Sequence, residues 1–139
     1  MISAETWIQL GLALALGLFV GLERERSGQT TGIRTFPLIT LFGAAVALVT
    51  FESTEWMIPA GLVVLALALA VTARRAVDAE DVEGHGATTI VAAFVMYTVG
   101  AMLVLDYASI AVALGGTTAV LLHWKEPLHQ FVDRLGAEE

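Results

Sequence analysis

The chain contains no cysteine among its 139 residues, which excludes disulfide bonds, thiolate metal ligands and cysteine nucleophiles. It has one lysine and a net charge of −7, so no basic surface for nucleic acid can be assembled. Enzyme patterns are also absent, including G-x-S-x-G, the P-loop, H-E-x-x-H and the dinucleotide fingerprint. We therefore expect neither an enzyme nor a nucleic-acid-binding protein, and no cofactor.

What the chain has in abundance is apolar sequence. Hydrophobic residues make up 57% of it, against roughly 45–50% in soluble domains. They form five continuous blocks, and a membrane-spanning helix needs about 20 such residues. Because the blocks do not alternate with polar residues, they favour helices over barrel strands. The blocks are Thr6–Leu22, Phe36–Phe51, Trp56–Ala73, Thr88–Leu105 and Tyr107–Trp124. The predicted fold class is all-α, an integral membrane bundle of about five transmembrane helices in contact with the lipid bilayer.

Two connections add detail to this bundle. The fourth and fifth blocks meet at Asp106 with almost no loop, which predicts a tight helical hairpin, with a re-entrant pair as the alternative. After the fifth block, Lys125–Leu135 carries apolar residues at helical spacing and predicts a short amphipathic helix at the interface. We therefore divide the chain into a transmembrane domain, residues 1–124, and a C-terminal amphipathic helix and tail, residues 125–139.

The basic residues predict the orientation of the bundle. They follow the first, third and fifth blocks only. By the positive-inside rule, the N-terminus lies outside and the C-terminus in the cytoplasm. The residues concerned are Arg24, Arg26, Arg34, Arg74, Arg75, Lys125 and Arg134.

The densest group of charged residues links the first and second blocks, between Gly21 and Thr35. Glu23, Arg24 and Arg34 are candidates for a paired network at the mouth of the bundle, where partial dehydration strengthens arginine–carboxylate bonds. The alternative is that these charges only end the helix and set topology, since exposed pairs contribute about 0–1 kcal/mol.

Small residues recur every fourth position along two of the blocks, a pattern that permits close helix crossing. We favour packing within one chain over a dimer seam, because five helices must first pack against each other. The residues are Ala13, Gly17 and Gly21 in the first block, and Ala111, Gly115 and Ala119 in the fifth.

The interiors of the blocks contain almost no ionisable residues, unlike proton-coupled transporters. A solute path would have to use threonines and backbone groups, although a threonine can also bond to its own helix. The threonines concerned are Thr88, Thr89, Thr98, Thr117 and Thr118. The histidines suggest little: the acidic segment before His85 reads as a mobile connector rather than a weak divalent-cation site, and His123 and His129 are expected to extend toward the interface.

The first charged loop resembles a family pattern, G-x-x-x-G-x-E-R followed by G-[LI]-R-T. In this chain the pattern occupies Gly17–Arg24 and then Gly32–Thr35. With these segments the chain resembles the MgtC/SapB family of prokaryotic inner-membrane proteins. Gly86–Thr89 is similar to the G-x-T-T that opens a later family helix, with Gly100 matching its glycine. The ending Leu121–Phe131 is more similar to a branch with a long C-terminal membrane half than to MgtC itself.

The resemblance implies a set of functional residues and two hypotheses. The first is a regulatory or adaptor protein in adaptation to low magnesium or to membrane and ion stress. The alternative is a subunit of a cation or small-solute transporter or channel. Either implies the prokaryotic inner membrane as location and, as partner, another copy of the chain or another membrane protein; a metal site is not identified. The implied residues are Gly17, Gly21, Glu23, Arg24, Gly32, Arg34, Thr35, Thr88 and Thr89.

Overall fold

The computed structural model describes residues 3–27, 32–50, 55–78 and 87–124. These residues form five α-helices and no strand, which confirms the predicted all-α membrane bundle. The helices are α1 (Ala4–Arg26), α2 (Thr35–Thr50), α3 (Met57–Asp78), α4 (Ala87–Val104) and α5 (Ala108–His123). The predicted C-terminal amphipathic helix and the acidic connector before His85 lie outside the described residues.

The five helices differ in how well they match a bilayer. Among them, α1, α3 and α4 are long and apolar enough to cross a membrane, whereas α2 and α5 have 16 residues each and are shorter. Sixteen residues extend about 24 Å, less than the roughly 30 Å of hydrocarbon in a typical bilayer. A helix of this length spans such a bilayer when its flanking residues extend into the headgroup layer or when the bilayer thins around it.

Helix α4 is the centre of the bundle and contacts each of the other four helices. Its most extensive contact is with α2, where a glycine on each helix lies against the backbone of the other. Gly43 lies beside the carbonyl of Tyr97, and Gly100 beside the carbonyl of Thr40. Close backbone approach matters here because packing, rather than the hydrophobic effect, holds helices together in lipid.

Helix α1 uses its stripe of small residues to pack against two neighbours. A Cβ atom at Gly17 would lie 2.5 Å from the Cα of Pro37 on α2, so only glycine fits. On the other side, a Cβ at Gly115 of α5 would meet the side chain of Leu16 at 3.3 Å. Every residue of both stripes is buried in the chain itself, which confirms the predicted packing within one chain.

Helix α3 lies at the edge of the bundle and contacts α2 and α4. The phenol of Tyr97 on α4 donates a hydrogen bond to the carbonyl of Ile58 in its first turn, at 2.8 Å. Its outer surface is apolar and exposed, as at Val63, Val64 and Leu67. Such a surface is stable against lipid, because lipid tails are as apolar as these side chains.

The turn between α4 and α5 confirms the predicted hairpin. Asp106 adopts a φ of 64°, the left-handed conformation that often ends a helix and that aspartate tolerates better than most residues. The next backbone N–H, that of Tyr107, donates to the carbonyl of Met102 at 2.9 Å. From this turn α5 runs back along α1, past Leu16, to the end of α1.

Candidate functional site

Five helix ends lie at one end of the bundle, which we call the charged end: the C-terminal ends of α1, α3 and α5 and the starts of α2 and α4. Two side-chain contacts define it. Glu23 Oε1 lies 2.5 Å from His123 Nδ1 and joins α1 to α5. A guanidinium N–H of Arg24 donates to the hydroxyl of Thr89 and joins α1 to α4.

The described charges are divided between the two ends of the bundle. The arginines belong to the last turns of α1, the turn before α2 and the end of α3, all of which the chain direction places at the charged end. They are Arg24, Arg26, Arg34, Arg74 and Arg75. The connections at the opposite end, and the start of α1, carry Glu5, Glu55 and Asp106.

Arg24 is buried, with 2% of its surface exposed. The cause is a close contact between the loop before α2 and the last turns of α1. A Cβ atom at Gly21 would lie 2.6 Å from the carbonyl oxygen of Gly32, and a Cβ at Gly32 would lie 2.5 Å from that of Gly21. Because neither residue has a side chain, the loop lies directly on the helix and covers the stem of Arg24.

The guanidinium of Arg24 is incompletely satisfied. It carries five N–H donors and no acceptor. Its buried Nε contacts no acceptor, and no carboxylate lies within 4.0 Å, among the residues that the structure describes. Thr89 supplies one neutral acceptor. A buried cation is costly unless it is both hydrogen-bonded and paired with an anion. Arg24 is therefore the group at the charged end that would gain most from an anionic partner.

Within the described residues, Glu23 pairs with a histidine rather than with an arginine, unlike the network that the sequence suggests. Successive residues on a helix are about 100° apart, so Glu23 faces α5 while Arg24 faces α4. The carboxylate therefore meets His123, with exposed side-chain fractions of 13% for Glu23 and 64% for His123. Sequence reasoning assigned His123 only to the interface. The sequence signal for this contact is the position of His123 in the last turn of α5. When five helices run in alternating directions, the end of α5 lies at the same end of the bundle as the end of α1.

The structure brings together only some of the residues that the family pattern singles out. Gly21, Gly32, Arg24 and Thr89 form one contact group. The other predicted residues lie around it: Gly17 at the α1–α2 crossing, Glu23 on α1 against His123 of α5, Thr35 at the first turn of α2, and Arg34 and Thr88 exposed.

An open apolar groove begins at Thr88, in the same first turn of α4 as Thr89, and lies between α4 and α5. It has a volume of about 130 Å³. Thr88 lines its polar end, and Val91, Val95, Leu121 and Leu122 line its walls. The groove is therefore shaped for an apolar group that approaches from the lipid side.

Three threonine hydroxyls along the helices bond to their own helices. Thr40, Thr98 and Thr118 each donate to the carbonyl four residues earlier, at 2.8, 3.0 and 2.7 Å. Over the described residues, no group of three histidine, aspartate or glutamate side chains is arranged to hold a metal ion. Among the described residues, the buried side-chain atom without a hydrogen-bond partner, Arg24 Nε, is at the charged end.

A protein-family model described as the MgtC family matches residues 10–131 of the chain. No curated protein and no solved structure matches significantly. The matched range contains the described parts of the charged end and four of the five helices in full.

Proposed function

The chain belongs to the MgtC family of membrane proteins, and we propose that it acts as a regulatory or adaptor protein in adaptation to low magnesium or membrane stress. The observation that carries the proposal is the distribution of polar groups. The hydroxyls of Thr40 and Thr98 bond to carbonyls of their own helices, while the described arginines, among them Arg24 with its unpartnered Nε, gather at the charged end. A protein built this way presents a recognition surface at the membrane boundary.

The proposal includes an orientation. The described arginines gather at the charged end, and short loops rich in arginine remain in the cytoplasm. We therefore place the charged end and the C-terminus in the cytoplasm and the N-terminus outside, in a multi-pass protein of the prokaryotic inner membrane. A partner would then meet this surface from the cytoplasm or from a neighbouring position in the membrane, either as a second copy or as another membrane protein.

The residues of the charged end have different roles in this proposal. Arg24 and Glu23 hold α1 against α4 and α5 and so determine the shape of the surface. Arg34 is exposed in the turn before α2 and is the residue offered to a partner. Its guanidinium is suited to a carboxylate or phosphate on that partner, because its planar fork can donate two parallel hydrogen bonds.

Growth of cells that lack the gene tests this role. They are complemented with the native protein, with Arg34→Ala or with Arg26→Ala, a matched exposed arginine on α1, and grown in low magnesium. We expect Arg34→Ala to reach the membrane in normal amount and fail to restore growth, while Arg26→Ala restores it. Restoration by Arg34→Ala at equal protein level would contradict the proposal.

The second candidate is a transporter or channel subunit. The groove between α4 and α5 favours it, because Thr88 and Thr118 line an opening on the surface of the bundle. Two copies joined at this groove would enclose a path with threonine hydroxyls. Flux of Mg²⁺, K⁺ or Na⁺ into proteoliposomes, absent from liposomes with Val91→Trp, a substitution in the lining of the groove, or without protein, would favour this candidate over the adaptor role.

A further inference from the structure

Arg24 presents a buried positive charge whose hydrogen bonds are not all used. Its Nε is buried without an acceptor in the described part of the chain, and its one described partner is the neutral hydroxyl of Thr89. The nearby carboxylate of Glu23 is engaged with His123 at 2.5 Å. The site therefore contains hydrogen-bond donors and a positive charge, and an anionic acceptor would stabilise both.

The first turn of α4 also favours an anion near Arg24. Thr89 is the third residue of α4, so Arg24 reaches the beginning of that helix. The first four backbone N–H groups of a helix have no acceptor within it, and the helix dipole is positive there. Together these features suit oxyanions such as phosphate, and the guanidinium supplies donors that match a phosphate geometrically.

The apolar groove indicates which molecule carries the anion. It starts at Thr88, which lies in the same first turn of α4 as Thr89 but faces α5, and it continues along α4 past Val91 and Val95. It opens on the lipid-facing surface, and Val91 is 60% exposed. An anionic head and an apolar tail in adjoining positions describe a phospholipid, whose phosphate lies at the depth of a helix end in the membrane.

We propose that the charged end binds an anionic phospholipid, with its phosphate between Arg24 and the first turn of α4 and an acyl chain in the α4–α5 groove. The net negative charge is required because the guanidinium has no described counter-ion. A zwitterionic lipid brings the same phosphate with its own cation and so leaves the charge of Arg24 unbalanced. The site is independent of the adaptor role and is tested apart from it.

Thermal unfolding of the full-length protein in a neutral detergent tests the site. Phosphatidylglycerol, phosphatidylcholine or inorganic phosphate is added in series, and the shift of the unfolding midpoint yields an apparent affinity. We expect phosphatidylglycerol to bind about tenfold more tightly than phosphatidylcholine, and Arg24→Gln to lose about tenfold, as for a charge-assisted hydrogen bond. Arg26→Gln, an exposed arginine on the same helix, keeps native affinity.

A second pair of variants tests the groove without altering the buried arginine. Val91→Trp fills the groove, and Val64→Trp is its control on the outer face of α3, with exposures of 60% and 58%. We expect Val91→Trp to weaken phosphatidylglycerol binding several-fold and Val64→Trp to leave it unchanged. This comparison tests whether the groove binds the lipid even if Arg24→Gln does not fold.

Three results would overturn the proposal. Equal stabilisation of the native protein by phosphatidylglycerol and phosphatidylcholine would show that no net charge is recognised. Stabilisation by inorganic phosphate as large as that by lipid would assign the site to free phosphate. Equal phosphatidylglycerol affinity in Val91→Trp and Val64→Trp would remove the groove from the site.

Discussion

Replacing Gly100 with alanine tests whether the α2–α4 crossing holds the bundle together. The added Cβ would overlap the carbonyl oxygen of Thr40 and would lie 2.9 Å from its carbonyl carbon and 3.0 Å from the backbone nitrogen of Ala44. All three atoms belong to the backbone of α2, so no side-chain rotation relieves the overlap. The two helices must move apart.

The magnitude follows from this geometry. Ordinary contacts between heavy atoms begin near about 3.5 Å, so α2 and α4 must separate locally by on the order of 1 Å, which forfeits a quarter to a half of the dispersion energy of each contact there. This is the most extensive helix contact of the bundle. Overpacking in a well-packed core costs about 1–3 kcal/mol, and we expect Gly100→Ala to lower the free energy of unfolding by about 2–3 kcal/mol.

The matched control is Gly116→Ala on α5, where a Cβ atom would meet nothing within 4 Å. There alanine adds helix propensity without a clash, and the free energy of unfolding should rise by up to about 1 kcal/mol. Both variants are unfolded reversibly in mixed micelles by increasing the fraction of denaturing detergent, with helix content followed by circular dichroism. The reasoning is refuted if the two substitutions change stability in the same direction, or if Gly100→Ala matches the native protein.

Two further substitutions examine single hydrogen bonds in the same unfolding assay. Tyr97→Phe removes the bond from the phenol to the carbonyl of Ile58 and should cost about 0.5–1.5 kcal/mol, with a loosened α3 seen as faster proteolysis; no change in either would mean that this bond does not hold α3. His123→Ala removes the contact with Glu23, and because the histidine side chain is 64% exposed we expect a loss below about 1 kcal/mol that shrinks in high salt. A loss of several kcal/mol that salt does not alter would show that the pair is shielded from solvent.

Much of the fold was predictable because its determinants are local in the chain. Each apolar block must become a helix, since lipid offers no partner to an open backbone group. The structure extends α1 to Arg26 and α3 to Asp78, beyond the predicted ends at Leu22 and Ala73, because charged residues continue a helix readily once it leaves the apolar layer. The hairpin at Asp106 was likewise predictable, since almost no residues separate the two blocks.

The contacts of the charged end were not predictable in the same way. Sequence alone placed Glu23 and Arg24 side by side and suggested that they and Arg34 pair with each other. The structure separates them, because neighbouring residues point to different helices: Glu23 meets His123 and Arg24 meets Thr89. Such partners are distant in the chain. Which residues meet depends on how each helix is rotated about its own axis, and hydropathy carries no information about that rotation.

By itself, the sequence determined that this protein is a helical membrane bundle with the arginines of its described residues at one end, since hydropathy and charge are properties of each segment alone. The tertiary structure decided which of those arginines is buried. Gly21 and Gly32 bring two backbones into contact over Arg24, and that contact exists only when α1 and the following loop pack together. Sequence analysis could assign the charge of Arg24 to topology alone, whereas in the folded chain Arg24 is buried and its Nε has no acceptor among the described residues.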